Sequence, residues 1–582
     1  MNIVAFLLLT LSTFAGADHR STSSSHPHQT SCPTGVPGSA LVVPADRSAP
    51  LSEEQNQQPS PRPVDGAADP QAAAAPSATP AQSEIRTVPS RWRSFDPSGQ
   101  NPEYIFRIYD PYHQNLLKAD FPLAGNWFLE LNALNTFVYK ARRNLDFSNV
   151  FADQISLGNL EFHSHNHFRN ENLIFGLELR RFDDTFFPSD FRIRLNGVFD
   201  YRADLNAFLR TSNVEPFLFD AFVDVKLHDF GGDEDGRDNF DLLFLRGGFQ
   251  GFRSDFHGLV FNDVGLGGRL FGEFQRNRFR YDFLWLKLFQ KDPATGFLSF
   301  SRPSAHQVAI GRFTWEDFLV LGWNSEWSVH YNRERRKIGG GPLEQQHDTF
   351  YWGATFNGQL GRVEFNPAFY AVHGNADQVV GGVPVEHSVA AFLVLLDVRY
   401  PFDYWKFRAG YLFASGDGNP ADRRDTGFDA ISDSIVLFGG PLSYWTGENI
   451  RFGRGDFVRA NSVFPSLRGA NEPANYINPG IQILNVGLDV VLSPRLEFSG
   501  NVNYLRFVSR GAYTNRVVIR DLSAGLEENF FLRIKPFLRE VNQNVLLDVG
   551  FSVLHAQPGL QSAFQTTRGT VYSNFLALRL VY

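Results

Sequence analysis

The chain has 582 residues and a formal net charge of −8. That charge is too mild, and its Lys and Arg too evenly spread, for a nucleic-acid binder, which carries a basic stripe. Phe supplies 58 residues and Gly 50 while Cys and Met occur once each, which speaks against a helix-rich soluble enzyme and suits strands that need only every second residue apolar.

Residues 1–17 read as a secretory signal peptide, with an apolar run from Ile3 to Leu11 and small residues at Ala15-Gly16-Ala17, although the usual basic start is missing. The run is too short to span a bilayer, and no later run of about 18 apolar residues exists, so export without a membrane helix is expected. Residues 18–95 are rich in Pro, Ala, Ser and Gln and poor in anything that could be buried. Such a segment cannot offset its ordering entropy, and a disordered periplasmic stretch is expected. Cys32 lies within it, well beyond the cleavage point, and reads as an incidental surface thiol.

Residues 96–582 read as a transmembrane antiparallel β-barrel. From Trp127 onward, stretches of roughly 9 to 16 residues alternate apolar and polar, the period of a strand wet on one side. Strands are expected near 126–141, 171–182, 190–201, 217–229, 240–248, 264–274, 277–290, 305–313, 318–331, 348–358, 361–373, 386–400, 404–415, 479–492, 495–508, 525–535, 543–555 and 571–582. In the stretch at 318–331, Leu319, Leu321, Trp323, Trp327, Val329 and Tyr331 share one face, opposite Asn324, Glu326, Ser328, His330 and Asn332. Links after even-numbered strands are mostly short, as at Gln275-Arg276, Gln359-Leu360, Pro401-Phe402-Asp403 and Ser493-Pro494, and links after odd-numbered strands are long. That rhythm predicts about 18 strands with both ends periplasmic. The end of the chain, Leu576 to Tyr582, alternates to a terminal aromatic and resembles the signal read by the machinery that inserts outer-membrane barrels.

The alternation places Arg180, Arg192, Arg194, Lys226, Arg399, Lys406, Arg408, Arg533, Lys535 and Arg579 inside the lumen, with Glu178, Asp220, Asp224, Glu326, Glu364, Asp397, Asp489, Glu497 and Asp548. Such mixed charges either pair across neighbouring strands or line a path for cargo.

The segment Phe407-Arg408-Ala409-Gly410-Tyr411-Leu412-Phe413-Ala414-Ser415-Gly416-Asp417-Gly418-Asn419-Pro420, with Asp422, Asp425 and Phe428-Asp429, resembles the strand-and-loop signature of the alginate export family of outer-membrane proteins. The resemblance implies an 18-stranded barrel that exports an anionic polysaccharide. It covers 407–429 and is architectural elsewhere. The segment from Tyr109 to Pro122 has no counterpart in it.

Gly416 to Asn478 is far longer than a passive link requires and is the candidate gate. At its start Asp417, Asn419, Asp422 and Asp425 offer side-chain caps to a turn, without the Gly and terminal Glu of a calcium-binding EF-hand. His163, His165 and His167 alternate, so an extended backbone would put three imidazoles on one side; they read either as a transition-metal site or as polar residues of the first outer loop. No metal or other cofactor is expected. No phosphate loop, zinc-peptidase helix or Gly-x-Ser-x-Gly elbow is present, and enzyme activity is not expected, a hydrolase built on the barrel rim being the weakest reading.

The expected function is therefore an outer-membrane channel passing or exporting a saccharide or another small or linear, anionic or neutral solute. The alternative is a structural or adhesive barrel with a plugged lumen. The expected partners are outer-membrane lipid, the insertion machinery and the solute. The mature chain should need detergent to remain a compact monomer and should show a β-type circular dichroism spectrum; a helical spectrum would exclude the barrel.

Overall fold

The computed structural model describes residues 116–143, 165–181, 189–205, 210–230, 241–275, 277–291, 298–337, 343–380, 383–419, 421–432, 437–439, 443, 474–510, 520–536, 545–563 and 569–581. The expected leader, the Pro/Ala/Ser-rich segment, Cys32, His163 and most of 433–473 lie outside the described residues.

In chain order the strands are β1 (Lys118–Ala124), β2 (Trp127–Arg143), β3 (His165–Arg181), β4 (Phe191–Leu205), β5 (Arg210–Asp229), β6 (Leu242–Arg253) and β7 (Asn262–Phe274). There follow β8 (Phe279–Lys291), β9 (Leu298–Trp315), β10 (Asn324–Lys337), β11 (Glu344–Leu360), β12 (Val363–Val380), β13 (Val383–Phe402) and β14 (Trp405–Ala414). The last are the two-residue β15 (Arg424–Asp425), β16 (Ile481–Ser493), β17 (Leu496–Phe507), β18 (Ser523–Ile534), β19 (Val545–Ala556) and β20 (Thr570–Val581). Apart from β1 and β15, 18 strands pair antiparallel with their neighbours, and the sheet closes on itself where β20 meets β2, from Leu134↔Val581 to Arg143↔Tyr572. Closure leaves no open edge, which hydrocarbon would not tolerate. Below Val581 the seam is continued by β1, which takes in the described end of the Tyr109–Pro122 region that the resemblance left unmatched: Lys118 pairs with Glu130 and Ala124 with Trp127, and Lys118 Nζ donates to Leu131 O at 2.6 Å.

Each of the 18 expected strands is present, and most run further toward the outer end than alternation alone showed. A ladder can continue in water after the lipid-facing pattern has stopped. The link lengths are correspondingly less regular than expected. The outer hairpin of β12 and β13 stays paired down to 381–382, whereas the periplasmic links at 182–190 and 230–241 are long. The tightest periplasmic turns fall at 361–362, 403–404 and 494–495.

Two further expectations are corrected. β10 begins at Asn324, not at 318; Asp317 and Leu319 adopt φ of 52° and 61°, which ends the pairing and makes 316–323 a turn. Leu319 and Leu321 therefore do not belong to a strand face. His165 and His167 lie not in a loop but at the outer end of β3, where the exposed His167 Nδ1 stands 2.8 Å from Tyr139 Oη.

Along the regular stretches of the wall strands one parity faces out and the other in, the phase changing at the bulge of β5 between Leu218 and Asp220. Phe283, Trp285, Trp327, Val329, Trp352 and Phe392 are exposed on the outer surface, and their neighbours in sequence are buried. Aromatics gather at the periplasmic rim, as in the groups Phe274, Phe279, Phe313 and Trp315 or Tyr404 and Trp405, the girdle position of membrane barrels.

Gly248 shows how close packing fixes one residue. It has φ of +136°, and a Cβ there would lie 2.3 Å from Ala221 O and 2.7 Å from Phe222 Cα, both on β5. Gly248→Val should destabilise the barrel by about 1–3 kcal/mol. The folded band in unboiled electrophoresis should then disappear at a lower temperature; an unchanged transition counts against this packing.

Candidate functional site

The inner wall is divided by height. Toward the periplasmic ends of the strands it is lined by ion pairs. Arg180 bridges Glu178 Oε1 at 2.5 Å and Glu130 on β2. Arg192 reaches Asp224 at 2.5 Å, Arg194 reaches Asp220 at 3.3 Å, and Arg246 grips Asp224 with two bonds of 2.6 and 2.9 Å. Arg269 and Arg312 share Asp282 at 2.6 and 2.5 Å, and Arg312 also donates to Glu326 at 2.9 Å. On the far wall Arg399 pairs with Asp397 at 2.8 Å, Arg408 with Asp489 at 2.9 Å, Lys406 with Glu364 at 3.6 Å and Lys535 with Glu497 at 2.5 Å. Arg533 at 2.9 Å and Arg579 close around Asp548, and Lys226 meets Asp190.

These pairs are not symmetric about the lumen. The short carboxylates lie against the wall, and the longer guanidinium groups extend past them. Arg312 keeps 22% of its side chain accessible against 3% for Asp282; Arg399 keeps 32% against 4% for Asp397. Asp489, Glu497 and Glu364 are the more open acids. Over β3 to β9 Arg180, Arg192, Arg269 and Arg312 are each more accessible than Glu178, Asp224 and Asp282, which they hold, whereas at the rim Asp190 is more accessible than Lys226. Several of these cations also lie over rings, Arg246 at 4.0 Å from the Phe222 centroid and Arg312 at 4.8 Å from that of Phe252.

Alternation did not identify Arg246, Arg269, Asp282 and Arg312. Arg246 precedes Gly247-Gly248 and Arg269 follows Gly267-Gly268, and glycine carries no apolar signal to set the parity. Asp282 and Arg312 could have been found by extending the parity of Leu284 and Ile310.

Toward the outer ends of the strands the inner wall becomes largely apolar on β8, β9, β12 to β14, β16 and β17, with Leu286, Ile310, Val372, Leu393, Leu412, Ile483 and Leu505 buried, while β10 and β11 remain polar with His330, Asn332, His347 and Thr349. Two outer connections fold down onto it. The first, 254–261, is shaped by Asp255, whose carboxylate accepts from the amides of His257, Leu259 and Val260. The second is the described part of 415–480. The two dock through backbone bonds, Ile431 N to Val260 O at 3.0 Å and Asn262 N to Ser432 O at 2.6 Å. Tyr351 on β11 donates to Asp429 O at 2.7 Å and stands 2.7 Å from Tyr476 Oη. Across the lumen Asn503 Nδ2 donates to Phe438 O at 2.8 Å. The Phe438 ring occupies the space over Gly410, where any Cβ would collide with it at 2.1 Å. Burial of Phe428, Ile431 and Phe438 contributes about 2 kcal/mol each, several powers of ten in favour of the docked loop before its ordering entropy is subtracted.

At the start of this loop the expected turn caps are present in part. Asp417 Oδ1 accepts from Asn419 N at 3.3 Å, and Asp422 Oδ1 from Arg424 N at 3.0 Å. Asp425 does not cap the turn. Its carboxylate accepts from Gln378 Nε2 and lies 2.8 Å from His387 Nδ1, which fastens the loop to β12 and β13. Burial pushes the Asp417 carboxyl up to about 6, with the charges of Asp425 and Asp422 adding to it, against hydrogen bonds from Asn419 N and Thr426 Oγ1. Among the described residues no three His, Cys, Asp or Glu are placed to hold a metal ion.

A closed sheet, apolar outside and lined by charged side chains within, defines a transmembrane barrel of the outer-membrane type, and the chain is an outer-membrane protein. No family model matches the sequence, and no curated protein matches it. Among solved structures the chain is similar to OccK5 (OpdH) of Pseudomonas aeruginosa at 11% identity, covering 78% of this chain and 98% of that one with a TM-score of 0.42. It is also similar to OccK9 (OpdG) of the same organism, at 9% identity, 78% and 98% coverage and a TM-score of 0.45. OccK2 (OpdF), solved in complex with glucuronate, matches at 10% identity, 77% and 95% coverage and a TM-score of 0.42.

An acid whose pKa rises from 3.8 toward 6 on docking binds more protons docked than free, so docking strengthens as pH falls through that window. Amide exchange across 426–432, corrected for its intrinsic pH dependence, should slow between pH 7 and 5. Asp417→Asn should give the slow rate already at pH 7; a variant that keeps the wild-type pH response counts against this role of Asp417.

Proposed function

We propose that the chain is an outer-membrane channel for small solutes bearing carboxylate groups, with the 415–480 loop as its constriction. The observation that carries this reading is the sidedness of the ion pairs. Carboxylates packed against the wall neutralise the arginines enough to fold, and an accessible guanidinium held mainly through its Nε edge, as Arg399 is by Asp397, can turn its outer edge to a carboxylate and bind it through two parallel hydrogen bonds. A solute moving past β3 to β9 can exchange one such group for the next, and because no single pairing is isolated, none needs to be tight enough to trap it. An acidic sugar suits both this wall and the resemblance of 407–429 to the alginate export family. The loops packed across the outer half favour a monomer or short oligomer over a long chain.

The same packing supports a second reading, a barrel plugged by its own loops. Planar-bilayer recording separates the two. On the channel reading, wild-type protein conducts with a reversal potential displaced toward chloride, glucuronate blocks the current, and deletion of 416–478 raises the conductance several-fold. Arg180→Gln with Arg399→Gln should reduce the chloride preference without abolishing conductance. Silence before the deletion and conduction after it support the barrel plugged by its loops, and a preference for cations overturns the carboxylate assignment.

A further inference from the structure

The link between β9 and β10 differs in chemistry from the turns beside it. The other tight periplasmic turns are polar, with Gln275 to Arg278, Gly361-Arg362, Asp403-Tyr404 and Pro494-Arg495. This one opens on Glu316-Asp317 and then runs Phe318-Leu319-Val320-Leu321-Gly322-Trp323, six residues without a charge.

Its two rings fold back onto the outside of the wall. The Phe318 ring lies 5.0 Å from Trp315, 5.7 Å from Phe356 and 6.4 Å from Trp327. Trp323 stacks on Phe365 at 6.5 Å and covers the outward side of Gly358, where a Cβ would meet the indole at 2.1 Å. Between these fixed rings Leu319 and Leu321 project with 80% and 85% of their surface exposed, the most of any large apolar residue described.

The turn also meets much of its own backbone polarity. Phe318 N donates to Trp323 O, Val320 N to Phe318 O and Trp323 N to Val320 O, while the Asp317 carboxylate accepts from Gly322 N at 2.7 Å. Leu319 is held at φ 61°, an unfavourable conformation for a leucine, and that conformation directs the side chain outward. In water this arrangement costs energy twice, in backbone strain and in exposed hydrocarbon. In lipid it costs only the first.

We infer that 318–323 is a membrane anchor that inserts Leu319, Val320 and Leu321 into the hydrocarbon edge of the periplasmic leaflet, with Trp315 and Trp323 at the interface. Lipid is the occupant because the patch is continuous with the outward surface of Trp327, Val329 and Trp352, and the two acids of the turn are engaged at its base, Asp317 by Gly322 N and Glu316 by Arg280. Aliphatic residues between interfacial tryptophans follow the polarity profile of a leaflet. The inference rests on the membrane placement of the barrel and is independent of the channel reading.

The test uses the full chain with Cys32→Ser, reconstituted into phosphatidylethanolamine and phosphatidylglycerol vesicles. Single spin labels are attached at Leu321→Cys or Val320→Cys, with Phe283→Cys on the outer wall and Asp403→Cys in a polar turn as references. Accessibility to oxygen and to a water-soluble nickel chelate is read by power saturation. The anchor requires labels at 321 and 320 to match 283, open to oxygen and closed to nickel, while 403 is open to nickel. Nickel access at 321 and 320 overturns it. Protection from both reagents overturns it too, in favour of a protein contact, either a second copy or another partner. Nickel access at 283 removes the membrane placement itself and the inference with it.

Discussion

Every backbone amide that faces hydrocarbon must find its partner within the sheet, and the structure depends on meeting that condition all the way around. The seam between β2 and β20 is where it is most demanding, because the two strands are the most distant in sequence. β20 satisfies only the upper part of β2, and β1 takes over below it, with Leu131 N donating to Leu117 O and Lys118 Nζ reaching Leu131 O. Closure then imposes the alternation, since a wall with lipid on one side and a lumen on the other admits only a period of two.

Once closed, the barrel has an interior too wide for its own wall side chains to fill, and the protein treats the two halves of that interior differently. The periplasmic half is lined and stabilised by salt bridges between neighbouring strands. The outer half is largely apolar on β8, β9, β12 to β14, β16 and β17 and is covered by loops that bury Phe428, Ile431 and Phe438. Each half explains the other. Apolar lumen residues would be unfavourable without the loops, and the loops would have nothing to pack on above a fully charged wall.

Charge in the lumen is therefore a matter of depth as well as sign. Aspartate and glutamate reach only a short distance from the wall, while arginine reaches further, so a ladder of near-balanced pairs can present a basic surface. Such a surface keeps the arginines fixed by their partners, which lowers the reorganisation needed when a solute passes. The turn at 318–323 applies comparable logic on the outer surface, where exposure is favourable only because the surroundings are apolar.

Much of the wall was legible in the linear order of residues. A strand between lipid and water writes its period directly into the chain, and Glu326, Ser328, His330 and Asn332 opposite Trp327, Val329 and Tyr331 show it without ambiguity. The reading failed where that code is absent or copied by something else. Glycines beside Arg246 and Arg269 interrupted it, and Leu319 and Leu321 imitated a strand inside a turn. The long loop after β14 was recognisable by its length and its Asp/Gly-rich start, but not its contacts. Local sequence determined which residues alternate, where turns fall and that the interior is charged, because these follow from neighbours along one strand. Only the tertiary structure decided that acids lie behind bases, that 254–261 and 415–432 meet inside the barrel, and that Asp425 holds the loop to His387. Each of those depends on distances across the lumen, and the spacing of residues along a chain contains no record of what lies on the opposite wall.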